Sequence, residues 1–550
     1  MRRSFMTLAA MVFLATTSVI SQEHQPSAAA KALYDAGLKA VGNALGGDPK
    51  EWNHAVELLH KAVELDPDYY EAQQEYMIIY ENAAAPDVNS PDLAKERPAE
   101  ILFKKAEKKI EEQYEKLAAE HPKKAIYQWC LGIAYEYDNP AKSLSHYKAA
   151  VALDPKYGPG YSGLSEIAEE QGDLEMSQEY ARKAYEAWPH DKDFWRGYIA
   201  SYTMVPAPSN LEKAKEIALR GADQFPDGAA NMLGYMARRS TDEGQEREIL
   251  EIVEQRFPAK TDEYGLSLFD LYLKSDKAKA VQLAERISAQ EPKEKSWLAL
   301  KTYAQALLDA QSMIEKGEYE KATAALANVK PAGATALWLA LLRDEALAGK
   351  GELAKAYEDL VKRYATTPSD EAYALLNQYG EKLGKTKAQI TSELEEQLAA
   401  AAKPGIPFTL TDYGTGKPVS LADYKGRVVL VNFFYPKCGP CRGEFPYLQM
   451  ALDKYKSQGF AILAINGHPP EGDWVLPLMK GWRLGFTPLK STDEVLDAYK
   501  IWAFPDNFLY GADGKIYPMP RQVYPPTLRE FELQIEALLQ EAKTEKGASQ

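Results

Sequence analysis

Residues 428–446 read VVLVNFFYPKCGPCRGEFP, and this stretch decides the fold of the C-terminal part of the chain. Residues 428–435 form an apolar run, interrupted only by Asn432, with the length of a buried strand. The Cys-Gly-Pro-Cys motif at residues 438–441 follows and opens a predicted helix. The N-terminus of a helix offers unpaired N–H groups and a partial positive charge, which favour a thiolate at Cys438. Because one turn separates the two sulfurs, they can close and reopen a small ring, and the pattern predicts a redox-active dithiol.

The cysteine count supports the same interpretation. Only three cysteines occur in 550 residues, and Cys438 and Cys441 are two of them. A chain of this size needs no crosslinks for stability, so the pair indicates chemistry more than scaffolding. The alternative is half of a structural zinc site, but a second Cys or His pair is missing and His468 is the only histidine between residues 405 and 541. No metal is therefore expected here. Cys130 lies in a predicted packed helix and is interpreted as a small buried apolar residue.

Five separated segments of the C-terminal part resemble, in the same order, the TlpA/ResA-type thioredoxins of the AhpC/TSA-redoxin superfamily. These segments are residues 408–410, 416–421, 426–434, 438–446 and 504–509. The resemblance covers residues 405–541 and implies an α/β thioredoxin fold that needs no cofactor. It also implies a thiol:disulfide oxidoreductase in which Cys438 is the nucleophile, Cys441 is the resolving thiol, and Phe504 and Pro505 belong to a cis-proline strand that binds the client.

The chain departs from that family near the dithiol. Lys437 stands where the family usually has a tryptophan that shields the dithiol, so an altered docking surface is expected. Ala503 replaces the common glycine before the cis-proline, and Asp506 and Asn507 replace two threonines. These differences leave the choice of partner open.

A glutamate near the dithiol is a further feature that the resemblance implies. Asn432 stands six residues before Cys438, where thioredoxin itself has a buried carboxylate, and TlpA/ResA-type domains instead have a glutamate at the position of Glu444. Glu444 is expected to accept the proton of Cys441 during resolution. The alternative is that Glu444 is an exposed helix glutamate without a role.

The remainder of the C-terminal part alternates strands with helices, which predicts a largely parallel sheet covered on both faces. A second apolar strand is predicted at residues 460–465 and a final helix at residues 527–542. Residues 543–550 are interpreted as a flexible tail.

Prolines divide residues 31–395 into helical repeats. Among nine such prolines, six of the eight successive spacings are 32 to 37 residues. Small or apolar residues recur 12, 8 and 5 positions before these prolines. Before Pro67 they are Ala55, Leu59 and Ala62, and before Pro226 they are Ala214, Ala218 and Gly221. Small residues on one face let helices approach closely, and proline ends a helix because it lacks a backbone donor.

These repeats resemble the tetratricopeptide (TPR) family. The resemblance implies an all-α solenoid with a concave groove that binds a peptide or a partner protein. The abundant tyrosines either line this groove or pack between helices, and the packing interpretation is favoured. Gly172 and Asp173 are predicted to form a turn between two helices.

Residues 1–21 have the pattern of a secretory signal peptide. Arg2 and Arg3 precede an apolar run up to Ile20, and cleavage is expected before Gln22. An uncleaved anchor is the alternative, but it needs about 20 strongly apolar residues, and Thr and Ser interrupt this run. A periplasmic or secreted location follows. The 65 basic and 80 acidic residues give a net charge of −15, which argues against nucleic-acid binding.

The sequence thus predicts a multidomain chain, an all-α TPR-like solenoid followed by an α/β thioredoxin fold. The expected function is an exported thiol:disulfide oxidoreductase whose array binds a protein partner. Its partners would be a client with a disulfide or dithiol and a protein that recharges the dithiol. The alternative is an interaction scaffold in which the thioredoxin-like domain is mainly structural. An intact Cys-x-x-Cys motif favours the enzyme, and the direction of electron flow stays open.

Overall fold

The computed structural model describes residues 24, 26–46, 50–85, 93–136, 139–204, 208–290, 295–330, 336–469 and 472–548. The predicted signal peptide, residues 1–21, and its cleavage site before Gln22 lie outside the described residues. The described chain divides into two compact units. The first ends at Tyr202 and also includes Lys480–Trp482, and the second comprises Thr203–Met479 and the chain from Arg483 onward.

The chain up to residue 401 is mostly helical. Its helices in the described residues are α1 (Ala28–Leu45), α2 (Lys50–Leu65), α3 (Tyr70–Ala84), α4 (Leu93–Glu120), α5 (Ala125–Ala134), α6 (Pro140–Leu153), α7 (Gly158–Glu170), α8 (Leu174–Ala187), α9 (Lys192–Thr203), α10 (Pro208–Arg220), α11 (Pro226–Ala237), α12 (Glu243–Arg256), α13 (Thr261–Ser275), α14 (Lys277–Gln290), α15 (Lys295–Glu315), α16 (Tyr319–Ala327), α17 (Ala336–Gly349), α18 (Leu353–Thr366), α19 (Asp370–Lys382) and α20 (Lys387–Ala401). Among the described residues, no helix combines the length and apolar character needed to cross a membrane.

The spaced prolines mark helix ends, as the sequence predicted. Helices α2, α4, α6, α8, α12 and α18 each end two residues before one of them. Among the spaced prolines that the structure describes, Pro226 is the exception, because it occupies the first position of α11, where its missing N–H costs little. Gly172 has a φ of 77°, in the left-handed region that favours glycine. Asp173 then caps α8 by accepting the N–H of Met176, so the predicted turn between two helices is confirmed.

Aromatic residues fill the space between helices of the first unit. The rings of Tyr70, Trp129, Trp188 and Phe194 lie within one buried cluster, and the Tyr70 hydroxyl donates a 2.6 Å hydrogen bond to the Asp191 carboxylate. The packing interpretation is therefore correct for these side chains. Cys130 is fully buried in α5 with a free thiol, as expected.

Close approach between α5 and α6 depends on the absence of a side chain at Gly132. A Cβ added there would lie 2.3 Å from the ring of Tyr147, which is itself buried. We expect Gly132→Ala to lower the free energy of unfolding by about 1–3 kcal/mol, because an overpacked core must shift. Chemical denaturation monitored by circular dichroism measures this.

Gly197→Ala is the matched control for that substitution. Gly197 lies within α9, and nothing lies within 4 Å of a Cβ added to it. It should be neutral or stabilising, since alanine favours the helix by about 0.5–1 kcal/mol over glycine. Equal effects of the two substitutions would contradict the packing argument.

The C-terminal part contains one sheet of seven strands in the described residues, in the order β2-β1-β5-β4-β3-β6-β7. The strands are β1 (Thr409–Asp412), β2 (Pro418–Ser420), β3 (Val428–Phe434), β4 (Phe460–Asn466), β5 (Thr487–Lys490), β6 (Asp506–Tyr510) and β7 (Ile516–Tyr517). The helices of this part are α21 (Gly439–Tyr455), α22 (Gly472–Gly481), α23 (Asp493–Tyr499) and α24 (Pro525–Ala548).

The prediction of a largely parallel sheet is corrected to a mixed sheet. Only β3, β4 and β5 pair in parallel. The outer strands pair in the antiparallel sense. The strands β1 and β2 form one hairpin and β6 and β7 another, and β6 runs antiparallel to β3. Every residue of β3 and β4 is buried, which accounts for sequences that are apolar except for Asn432 in β3 and Asn466 in β4. The last helix continues to Ala548, beyond the predicted end at residue 542.

Candidate active site

The dithiol lies where the buried strand β3 passes into α21, as the sequence predicted. Cys438 is the N-cap residue of α21, and the backbone N–H of Cys441 points at its sulfur with N···Sγ of 3.1 Å. The two cysteines form a disulfide. Pro440 occupies the first turn, where no helical hydrogen bond is lost. Helix N–H groups and the helix dipole therefore act directly on the Cys438 sulfur, which stabilises a thiolate once the bond is reduced.

Glu444 follows Cys441 by three residues on the same helix, so the two side chains share one face. Its side chain is fully buried, which excludes the exposed-glutamate alternative. The carboxylate accepts hydrogen bonds from Asn432 Nδ2 at 2.8 Å, from Asn507 Nδ2 at 3.1 and 3.2 Å, and from the Val523 N–H at 3.1 Å. Burial raises the pKa of Glu444 to about 7, although these hydrogen bonds lower it. A carboxyl group with this pKa exists in both protonation states near neutral pH.

Sheet pairing brings the two asparagines together. Asn432 on β3 stands directly opposite Asn507 on β6, and Asn432 Nδ2 donates to Asn507 Oδ1 at 2.9 Å. Asn507 Nδ2 also lies 3.2 Å from the Arg521 carbonyl. Sequence reasoning noted both asparagines only as departures from thioredoxin or its relatives and did not identify Val523. The alternation of side chains along the strands is the signal that could have placed them on one face.

Lys437, the residue before Cys438, is buried rather than exposed. Its ammonium lies 4.8 Å from the ring centroid of Trp474, which comes from α22 and is also buried. A tryptophan thus lies beside the dithiol segment, although it comes from α22 and not from position 437. The sequence gave no indication of this pair, because 37 positions separate the two residues.

Phe504 and Pro505 directly precede β6, at the end of the sheet where β3 leads to Cys438. The peptide bond between them is cis. The Phe504 ring packs edge-on against Tyr435 with centroids 5.4 Å apart, so this segment contacts the residues that lead into the dithiol. A Cβ added to Gly467 would lie 2.3 Å from the Phe504 ring, and this glycine therefore leaves the space that Phe504 occupies.

The fold and the dithiol define the class: the C-terminal part is a thioredoxin-fold domain, and the AhpC/TSA family matches residues 401–519. The thiol-disulfide oxidoreductase ResA of Bacillus subtilis is 38% identical over 110 residues, which are 20% of this chain and 60% of that protein. ResA of Geobacillus kaustophilus is 35% identical over 131 residues, 23% of this chain and 72% of that protein. Through this domain the chain belongs to the ResA family of thiol-disulfide oxidoreductases.

A solved structure matches a similar share of this chain. The solution structure of a thiol:disulfide interchange protein from a Bacteroides species is 26% identical, covering 26% of this chain and 90% of that one, with a TM-score of 0.22. The family match lies at residues 401–519, and the chain spans 60% of the length of Bacillus subtilis ResA.

Proposed function

We propose that this chain is an exported thiol:disulfide oxidoreductase that exchanges the Cys438–Cys441 dithiol with protein clients. The observation that carries the proposal is the Cys441 N–H held 3.1 Å from the Cys438 sulfur at a helix N-terminus. That arrangement favours Cys438 as the attacking thiolate and as the leaving group. Export rests on the signal-like pattern of residues 1–21.

In the reductive direction, the Cys438 thiolate attacks one sulfur of a client disulfide. A mixed disulfide forms between Cys438 and the client, and the other client sulfur leaves as a thiolate. Cys441 then loses its proton, attacks the Cys438 sulfur and releases the second client thiol. The client gains two electrons and the domain ends with the Cys438–Cys441 disulfide. A second redox protein would return two electrons to close the cycle, and the oxidative direction is the reverse.

Glu444 would be the proton acceptor for Cys441. Its burial and its pKa of about 7 support this role, because a base is most effective when its pKa lies near the working pH. The amides of Asn432 and Asn507 and the Val523 N–H hold the carboxylate in place. Phe504 and Pro505, at the edge of the sheet that carries the dithiol, would bind the client chain.

The helical part would serve as a TPR-like array that binds a protein partner. Support comes from helices that end at regularly spaced prolines and from small residues on their packed faces, such as Ala55 and Ala214, both fully buried. Domain limits of 31–395 for the array and 405–541 for the thioredoxin-like domain remain part of this proposal, whereas the predicted flexible tail at 543–550 is helical up to Ala548. A periplasmic or secreted location would follow from signal cleavage before Gln22.

Reduction of insulin by dithiothreitol tests the enzymatic proposal. We expect the full-length protein to accelerate insulin precipitation, and Cys438→Ser to abolish the acceleration, because without the nucleophile no mixed disulfide forms. A scaffold with a merely structural thioredoxin-like domain would give equal rates for both proteins. Unfolding curves of the two proteins should agree when both are measured under reducing conditions.

A further inference from the structure

Residues 203–401 are the helical segment of the second unit. The helix that carries the dithiol, α21, contacts this segment through Arg239. This residue follows the end of α11, and its Nη1 donates a 2.8 Å hydrogen bond to the carbonyl of Gly443. Gly443 lies two residues after Cys441, in the second turn of α21. A Cβ added to Gly443 would lie 3.4 Å from Arg239 Nη2, so the bare backbone leaves room for the guanidinium.

Arg239 is oriented by neighbours on both sides. Its Nη2 and Nε donate to the Tyr235 hydroxyl at 2.7 and 3.2 Å, one turn earlier on α11. In the opposite direction, the hydroxyl of buried Tyr447 donates to the Arg239 carbonyl at 3.0 Å. Two hydrogen bonds of opposite direction thus join residues 235–239 to residues 443–447, and together they set the place of the guanidinium.

The contacted turn of α21 is irregular. Pro446 lies inside the helix and cannot donate an N–H to the carbonyl of Arg442 four residues earlier. This turn therefore lacks one of the hydrogen bonds that hold a regular helix, and the bonds from Arg239 and Tyr447 stabilise it from outside. Two more contacts hold the same helical segment to the thioredoxin-like part: Arg529 pairs with both carboxylate oxygens of Asp370 at 2.8 Å, and Lys403 pairs with Ile516 as an isolated bridge.

Arg239 places a positive charge against the helix that carries the dithiol. Its guanidinium is held at Gly443, and Cys438 lies five residues earlier, about 7.5 Å along the helix axis. Tyr524 lies near both Glu444 and Arg239: burial raises the pKa of its hydroxyl, the Glu444 charge raises it further and the Arg239 charge lowers it. A cation fixed on this helix near its N-terminus stabilises anions there, including a thiolate at Cys438.

We propose that Arg239 is a positioning residue for the dithiol, through which the helical segment holds α21 and favours the thiolate form of Cys438. The segment would then be part of the redox centre and would not serve partner binding alone. This inference rests on the proposed thiol–disulfide chemistry, but it concerns the dithiol itself and needs no client.

Two measurements on the full chain test the proposal. The first is the pH midpoint of Cys438 alkylation by iodoacetamide in the reduced protein. The second is the equilibrium constant for exchange with glutathione, in which the dithiol and oxidised glutathione give the protein disulfide and two glutathione thiols. For Arg239→Met we expect the midpoint to rise by about half a pH unit. The exchange should shift about threefold toward the protein disulfide, equivalent to about 14 mV.

Arg238→Met is the matched control, because it removes the same charge from the adjacent residue. The Arg238 side chain is exposed and its guanidinium lies over Tyr264, 5.3 Å from the ring centroid. It should leave both measurements unchanged. Equal values for Arg239→Met, Arg238→Met and the unaltered protein would overturn the proposal. Absence of client reduction by the unaltered protein, together with the expected shifts in both dithiol measurements for Arg239→Met, would instead count against the proposed function alone.

Tyr235→Phe provides a second variant if Arg239→Met unfolds. It keeps the charge and the ring but removes the acceptor that orients the guanidinium. We expect a shift of the alkylation midpoint in the same direction and smaller, with the unfolding curve retained. A folded Tyr235→Phe protein with an unshifted midpoint and exchange constant would contradict the positioning role.

Discussion

Cys441→Ser should trap the client on Cys438. The variant can form the mixed disulfide but lacks the thiol that cleaves it, so the intermediate accumulates. Non-reducing gels of envelope extracts should show a larger species, about tenfold or more above the unaltered protein, that dithiothreitol removes. The expected asymmetry comes from the structure, because only the Cys438 sulfur accepts a helix N–H, from Cys441 at 3.1 Å.

Cys438→Ser is the control for trapping and should give no such species. Both sulfurs are buried, but Cys438 is the N-cap residue of α21 and Cys441 lies within the first turn, so Cys441 lacks the helix N–H that favours attack on a client. Equal trapping by the two single variants would overturn the assignment of Cys438 as the nucleophile.

The same trap can test what the array selects. Removing residues 31–202 from the Cys441→Ser variant leaves the contacts of Arg239 with Gly443 and Tyr447, which lie wholly in the second unit. If the array delivers clients, the set of trapped proteins should change. An identical set would show that the first unit serves something other than the choice of client.

Glu444→Gln should slow client exchange by about 10²-fold near neutral pH, the scale of a lost general base. The unaltered protein should gain rate as pH rises through about 7, where Glu444 ionises. The variant should lose this rise and keep its fold. Initial rates of insulin reduction between pH 5.5 and 8.5 measure the profile. An unchanged profile would remove Glu444 from the mechanism.

Glu530→Gln is the matched control for that profile. Burial also raises the pKa of Glu530 to about 7, but Glu530 lies on α24 and makes none of the hydrogen bonds that surround Glu444. We expect its exchange rates to follow those of the unaltered protein. A loss equal to that of Glu444→Gln would indicate a general effect of buried charge.

Stability gives a second readout at Glu444. Its pKa is about 7 in the folded chain against an ordinary value of 4.5, so the folded state binds the proton more tightly. The contribution of Glu444 to the free energy of unfolding is therefore largest below pH 4.5, and it is lost as pH rises toward 7. Glutamine does not titrate, so the variant should gain stability relative to the unaltered protein across this window, on the order of 3 kcal/mol in total. Urea unfolding at pH 5 and pH 8 measures the difference.

Local sequence was sufficient for the elements that carry the dithiol. The length of the apolar run after Arg427 predicted a buried strand, and residues 428–434 are one. Gly439-Pro440 between two cysteines predicted a helix start, and α21 begins at Gly439. Regularly spaced prolines predicted helix ends, because a residue without an N–H acts on its own neighbours. These features depend on contacts within a few residues, which a linear pattern contains.

Sequence also determined that Glu444 shares a helix face with Cys441, but only the tertiary structure decided its surroundings. Antiparallel pairing of β6 with β3 sets Asn507 opposite Asn432, and the chain before α24 supplies the Val523 N–H. Trp474 reaches Lys437, and Arg239 reaches Gly443 across 204 positions. Such contacts depend on strand order and helix packing, in which residues far apart in sequence become neighbours, and no local periodicity records them.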